Sequence, residues 1–413
     1  MTGPGLELIG QEEIDEVLDV LRSHRLARYG DENDPSFGAK VRRLEIEVAR
    51  LCGVHYGVAV NSGTSAILTV LAGLGIGAGD EVIVPGFTYV ASISAIVYAG
   101  ALPVLAEVDT SLNLDPADVE ARITARTKAI LAVHMLGNPA RLDELQAIAQ
   151  RHSVALIEDC AQAFGARYRG RAVGSIGVAA AVSFNEYKTI TCGDGGMVLT
   201  QDEALYRRCF AFHDQGHSPL RLGIEVGKRP FLGLNFRMTE LSAAVLLAQL
   251  RKLERIQERL QSNKRLFKSL IADLPGLAFR DLPDPEGDLA THLVVLFPTA
   301  EIARRISRAL GSRCLSDSGW HIYSQMEHLL QQRTASMKGP PFESDGSSVP
   351  PDRYWPGMLP QTDGLVSRAM TIGIGVADAN LGSSFGVTVL NGAGEVHQRA
   401  EQFRAVAERY LAA

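Results

Sequence analysis

The chain has 413 residues, of which 46% are hydrophobic and 21% charged, a composition that builds a core and excludes a disordered or fibrous protein. Its 41 basic and 47 acidic residues give a formal charge of −6 with no basic block, which argues against nucleic acid or an anionic membrane as partner. At about 150 residues per domain the length suits a large unit with a smaller companion.

In chain order, Ile14, Val17, Leu18 and Leu21 recur at helical spacing. A loop from Gly30 to Gly38 leads to a second helical pattern, Val41 to Leu51, and both read as amphipathic surface helices. Short apolar runs follow at Gly57–Val60, Glu81–Val84, Leu102–Val108, Ala129–Val133, Ala155–Ile157 and Val178–Phe184, the earlier ones separated by helical stretches. That alternation predicts an α/β fold with a mostly parallel central sheet, whose ligands gather beyond the carboxyl ends of the strands. A long helical stretch from Thr239 to about Leu270 predicts the passage to a smaller C-terminal domain, with the boundary near 265: residues 1–265 large, 266–413 small. The Pro-, Gly- and Ser-rich segment Gly339–Pro351 reads as an exposed loop.

Cys52, Cys160, Cys192, Cys209 and Cys314 show neither a CxxC pair nor metal-ligand spacing, so neither structural zinc nor a disulfide framework is expected. Met1 to Ile9 lacks the order of a signal peptide, and no apolar run approaches the roughly 20 residues of a membrane span. The expectation is a cytoplasmic protein.

Three segments carry chemistry. Asn61 to Ile67, NSGTSAI, turns from a strand into an apolar helix, and the free N–H groups at such a helix start suit a phosphate or, equally, an ordinary Ser/Thr cap. Glu158 and Asp159 leave a strand side by side, so alternation sends at most one into a given cleft; a paired-carboxylate hydrolase is disfavoured. Lys188 lies between an apolar strand and the glycine-rich turn Gly193–Gly196, where burial lowers an amine's pKa and favours Schiff-base chemistry. A phosphate seat, a carboxylate and an imine-forming lysine are together what pyridoxal 5′-phosphate needs.

With GDEVIVPGFTYVAS (Gly79–Ser92), EDCAQAFGARYRG (Glu158–Gly170), SFNEYK (Ser183–Lys188) and GLNFRMTELSAA (Gly233–Ala244) added, the chain resembles the DegT/DnrJ/EryC1/StrS aminotransferases. The likeness is close over Ser36–Leu253. It implies the aspartate aminotransferase-like fold type I and amino transfer from glutamate or glutamine to a keto sugar, a cyclitol or a related carbonyl acceptor. By the resemblance Lys188 is the catalytic, Schiff-base lysine and Asp159 keeps the cofactor's ring nitrogen protonated. Gln162 bonds the ring's phenolic oxygen, and Phe87 lies against the ring. Gly63, Thr64 and Ser183 receive the phosphate, joined by Asn235 from the neighbouring subunit of a homodimer with shared sites. Asn185, Glu186 and Tyr187 depart from the Pro and small hydroxyl residue of many members, and Phe164 stands where His is also found; substrate contacts differ accordingly. VHMLG, FHDQGH, WHIYSQMEHLL and the C-terminal run ending in TIGIGV are similar to a branch acting on an octulosonate, an eight-carbon keto sugar acid. His134, His213, His217 and His321 are read as structural or solvated. A sugar dehydratase of the same fold carries His in place of the lysine, which Lys188 argues against; a regulatory protein that binds cofactor without turnover is the remaining alternative.

Overall fold

A computed structural model describes residues 2–31, 34, 36–219, 229–336, 341–344, 347–350 and 352–411. Seven strands form the central sheet: β1 (Tyr56–Val60), β2 (Glu81–Pro85), β3 (Leu102–Ala106), β4 (Thr127–Val133), β5 (Ala155–Asp159), β6 (Ala179–Ser183) and β7 (Gly196–Thr200). Their spatial order is β1-β7-β6-β5-β4-β2-β3. Strands β2 to β6 run parallel, and β7 alone is antiparallel to its neighbours β6 and β1. β2, β6 and β7 are buried along their whole length, as expected of strands covered by helices on both faces. The sequence reading missed β7: it begins at the last residue of the glycine-rich turn and returns without the helix that marks the other crossovers.

Helix α1 (Gln11–Ser23) is a surface helix, but its apolar edge faces outward. Ile14, Leu18 and Leu21 are exposed, while Glu13 and Val20 are buried. The helix docks through Glu13, which accepts from Lys252 Nζ at 2.7 Å and Gln249 Nε2 at 2.8 Å. Helix α2 (Lys40–Cys52) instead buries Val41, Leu44 and Val48 in the core. Helices α3 (Gly63–Leu74) and α4 (Val90–Tyr98) follow β1 and β2.

The stretch from Thr239 is two helices rather than one, α5 (Glu240–Leu250) and α6 (Leu253–Ile271), interrupted where Lys252 reaches back to Leu8 O and Glu13. Helix α6 runs unbroken through residue 265. Beyond it a three-stranded antiparallel sheet, β8 (Ala278–Phe279), β9 (His292–Leu296) and β10 (Ala369–Gly373), is covered by α7 (Ala393–Leu411). Between β9 and β10 the chain returns to the large sheet: Tyr323 N donates to Gly86 O at 2.9 Å, and Tyr354 Oη to Pro103 O at 2.7 Å. Phe342 is buried against Tyr354. Part of the segment read as an exposed loop is therefore core, because one aromatic outweighs its Pro-Gly-Ser surroundings; residues 339, 340, 345, 346 and 351 lie outside the described residues. No helix among the described residues is long and apolar enough to cross a membrane.

Candidate active site

A cavity of about 310 Å³ opens at the carboxyl ends of the parallel strands. The turn after β1 and the start of α3 supply Ser62, Gly63 and Thr64, the turn after β2 and the start of α4 Thr88, Tyr89 and Ser92, β5 and its exit Asp159 and Gln162, and β6 with the loop beyond it Ser183 and Lys188. This is where a parallel sheet places its ligands.

Ser62 caps helix α3 by accepting Ser65 N at 3.1 Å. The amides of Gly63 and Thr64, the first two of the helix, have no hydrogen-bond partner among the described residues and stand at its positive end. A Cβ on Gly63 would come within 2.7 Å of Ser183 Cβ, so only glycine lets the helix start and the Ser183 hydroxyl share one face of the cavity.

Asp159, 3% exposed, is fixed by Ser92 Oγ at 2.8 Å and Ala161 N at 3.0 Å. Glu158 points to the opposite side, as alternation requires. It accepts from Gly174 N, Ile176 N and Gly177 N at 2.7–2.8 Å and meets His134 Nε2 at 3.2 Å. His134 Nδ1 accepts Ala140 N at 3.1 Å, so the proton sits on Nε2 and is donated to Glu158. His134, Glu158 and Cys160 lie close enough together to suggest a metal group, yet these hydrogen bonds already engage both ring nitrogens and both carboxylate oxygens. The trio is a structural centre behind the cavity floor.

Lys188 enters from a tight turn in which its N–H donates to Asn185 O at 2.9 Å. Its amine makes no hydrogen bond or ion pair among the described residues. Burial pushes its pKa below the ordinary lysine value, with Asp159 and Asp378 acting in the opposite sense. The loop is backed by the chain's beginning: Gly3 N donates to Glu186 O at 3.2 Å, and a Cβ on Gly3 would collide with the Tyr187 carbonyl. Gln162 Oε1 accepts Leu136 N at 2.9 Å, and its side-chain NH2 has no partner among the described residues.

Of the residues named from sequence, Lys188, Asp159, Gln162, Gly63, Thr64 and Ser183 are brought together. Phe87 is not: it is fully buried in the core, paired through its backbone with Ile322, and does not line the cavity. From the same turn Tyr89 does. β2 stops at Pro85 and α4 starts at Val90, so no strand alternation carries Phe87 to the face where Tyr89 stands. Asn235 lies outside this cavity, exposed, in a backbone bridge with Asp214.

The sequence reading also missed the wall contributed after residue 290, made of His292, Trp320, His321, Asp378 and Asn380. Val90 N donates to Trp320 O at 2.9 Å, which draws this segment onto the turn that carries Tyr89. His321, read as structural or solvated, lines the cavity; burial and the nearby Lys188 push its pKa down to about 3, so it is neutral. His213 is structural: Nδ1 donates to Phe210 O at 2.6 Å and Nε2 accepts from Arg28 at 3.0 Å. Neither His134 nor His217 lines the cavity.

The sequence profile of the DegT/DnrJ/EryC1/StrS aminotransferase family matches residues 7–318. The chain belongs to this family. It is 44% identical over 232 residues to the GDP-perosamine synthase of Caulobacter vibrioides, a match that spans 56% of this chain and 61% of that synthase's length. It is 37% identical over 315 residues to the L-glutamine:2-deoxy-scyllo-inosose aminotransferase of Streptoalloteichus tenebrarius, covering 72% of this chain and 73% of that enzyme. The crystal structure of 3-amino-5-hydroxybenzoic acid synthase superposes with a TM-score of 0.79 at 27% identity, covering 98% of this chain and 99% of that one. The family depends on pyridoxal phosphate. The two free helix-start amides, the Ser183 hydroxyl, the fixed Asp159 carboxylate and the unpartnered Lys188 amine fit its phosphate, ring nitrogen and aldehyde.

Proposed function

We propose that this chain is a pyridoxal phosphate-dependent aminotransferase that takes the amino group of glutamate or glutamine and delivers it to the carbonyl of a keto sugar or cyclitol. The observation that carries the reading is Lys188: a buried amine without a partner among the described residues, its pKa lowered, in one cavity with Asp159. Bound cofactor would supply an electron-withdrawing ring and a reactive aldehyde carbon. The chain's own residues do the rest. Gly63 and Thr64 N–H and the Ser183 hydroxyl hold the phosphate, with Asn235 of the partner subunit added across a dimer interface; its exposure outside its own cavity supports that role. Asp159, held by Ser92 and Ala161 N, keeps the ring nitrogen protonated. The Gln162 NH2 donates to the phenolic oxygen, and Tyr89 takes the place against the ring that the sequence assigned to Phe87. Lys188, once released, holds and moves the proton between substrate and cofactor carbons. The eight-carbon keto sugar acid suggested by the C-terminal motifs is the sugar-acid acceptor to assay beside neutral keto sugars and cyclitols.

The test is the absorbance spectrum of the protein incubated with pyridoxal phosphate, before and after glutamate or glutamine. The expected result is a yellow band that either donor bleaches in the wild type and that Lys188→Ala never forms. Turnover in Lys188→Ala with its fold intact refutes the assignment.

A further inference from the structure

The second wall of the cavity contains a carboxylate that makes no hydrogen bond or ion pair with Lys188 and is given no role in holding the cofactor. Asp378 is 8% exposed and lines the cavity. One oxygen accepts Asn380 N at 2.8 Å, and the other has no hydrogen bond or ion pair among the described residues. The loop beneath it is closed on itself: Asp378 N donates to Ser383 Oγ at 2.9 Å, and Ser383 N returns to Asp378 O at 2.9 Å. The free oxygen is thus held in position. Asn380, bonded to it, and Trp320 line the same cavity. The Trp320 side chain is 61% exposed and tilted 6.5 Å from the Tyr89 ring.

Charge narrows what this wall accepts. Three carboxylates line the cavity, those of Asp159, Asp194 and Asp378, against a single lysine and no arginine among the described lining residues. Asp159 faces the expected ring nitrogen, and Asp194 accepts Asn185 Nδ2 at 3.0 Å. Asp378 remains. An ionised carboxylate accepts hydrogen bonds and donates none, so its open oxygen attracts hydroxyl groups and repels phosphate or carboxylate. The exposed Trp320 indole in the same lining offers an apolar face to the C–H side of a ring, and the Asn380 amide both donates and accepts.

We infer that Asp378, Asn380 and Trp320 form the acceptor subsite and that this subsite selects an uncharged, hydroxyl-bearing ring, any anionic group of the acceptor lying outside this wall. The inference rests on the aminotransferase reading and deepens it. Amino transfer has two halves, which allows the two to be tested apart. Cofactor-loaded protein is bleached with glutamate, freed of excess donor and mixed with 2-deoxy-scyllo-inosose, a neutral polyol ketone, or with pyruvate, a small keto acid.

The wild type is expected to regain the yellow band at least about tenfold faster with the polyol ketone. Asp378→Ala and Trp320→Ala should each lower the ratio of acceptor to donor rate constants at least about tenfold, the scale of lost hydroxyl recognition. Scyllo-inositol, which has no carbonyl to react, should bind the loaded Asp378→Ala protein at least about fivefold more weakly by calorimetry. Equal losses in both halves, a preference for pyruvate, or no recovery with the polyol ketone overturns the subsite. Failure of the band to form or to bleach removes the aminotransferase reading itself, and the subsite with it.

Discussion

Glu158 and Asp159 divide one strand end between structure and chemistry, and Glu158→Gln measures the structural half. The substitution keeps shape and exchanges one acceptor oxygen for an NH2 group. One carboxylate arm accepts Ile176 N and Gly177 N, the other Gly174 N and His134 Nε2. Whichever way the amide turns, its NH2 therefore opposes two donors. His134 cannot relieve the clash by moving its proton, because Nδ1 accepts from Ala140 N. Two buried donors left unsatisfied at about 1–3 kcal/mol each cost about 2–6 kcal/mol, a large part of the roughly 5–15 kcal/mol that holds a folded chain. Urea unfolding followed by circular dichroism at neutral pH and fixed protein concentration is the assay. A loss below about 1 kcal/mol refutes the reasoning.

The same carboxylate predicts a pH dependence. Burial acts to raise its pKa, but His134 and the N–H groups of Gly174 and Gly177 overcome it and hold the carboxyl below the ordinary glutamate value. A depressed folded pKa gives stability that is present above the unfolded value and lost as pH falls through the folded one. The gap between wild type and Glu158→Gln should therefore narrow as pH drops below about 4, and a gap that widens there contradicts the assignment.

Three further outcomes follow from the cavity. Asp159→Asn should still bind cofactor yet lose about a hundredfold or more in the rate of donor bleaching, the scale of a missing acid–base partner; an unchanged rate removes Asp159 from its role. Tyr89→Ala should weaken cofactor retention, measured by dialysis and absorbance, while Phe87→Leu should cost about 1 kcal/mol or more of stability and keep its cofactor; the reverse pattern would restore Phe87 to the site. Mixing inactive Lys188→Ala with inactive Asn235→Ala chains should regain activity if sites are shared, and no regain in demonstrated mixed dimers places Asn235 elsewhere.

What the sequence made legible was whatever is local. Six strands announce themselves as apolar runs because a covered parallel strand has no polar face to interrupt it. The small residues at Asn61–Ile67 mark a strand-to-helix turn, and alternation alone separates Asp159 from Glu158. Position within a motif was enough to bring Lys188, Gln162 and Ser183 to one cavity. It failed at Phe87 and Tyr89, two residues apart in a turn that belongs to neither strand nor helix, where the choice of which ring faces inward is made by the Phe87–Ile322 backbone bridge more than two hundred residues away in sequence.

The proposed acceptor wall was out of reach for the same reason. Trp320, His321 and Asp378 come to the cavity only because Val90 N finds Trp320 O, Tyr323 N finds Gly86 O, and Thr2 pairs with Ala377 next to Asp378. None of these bonds has a periodicity or a spacing to betray it. The proposed cofactor half of the site is written in short motifs at strand ends, and the proposed acceptor half is assembled by long-range backbone pairing. A substitution in the second half is therefore expected to change which carbonyl compound is aminated, and one in the first half whether amino transfer occurs at all.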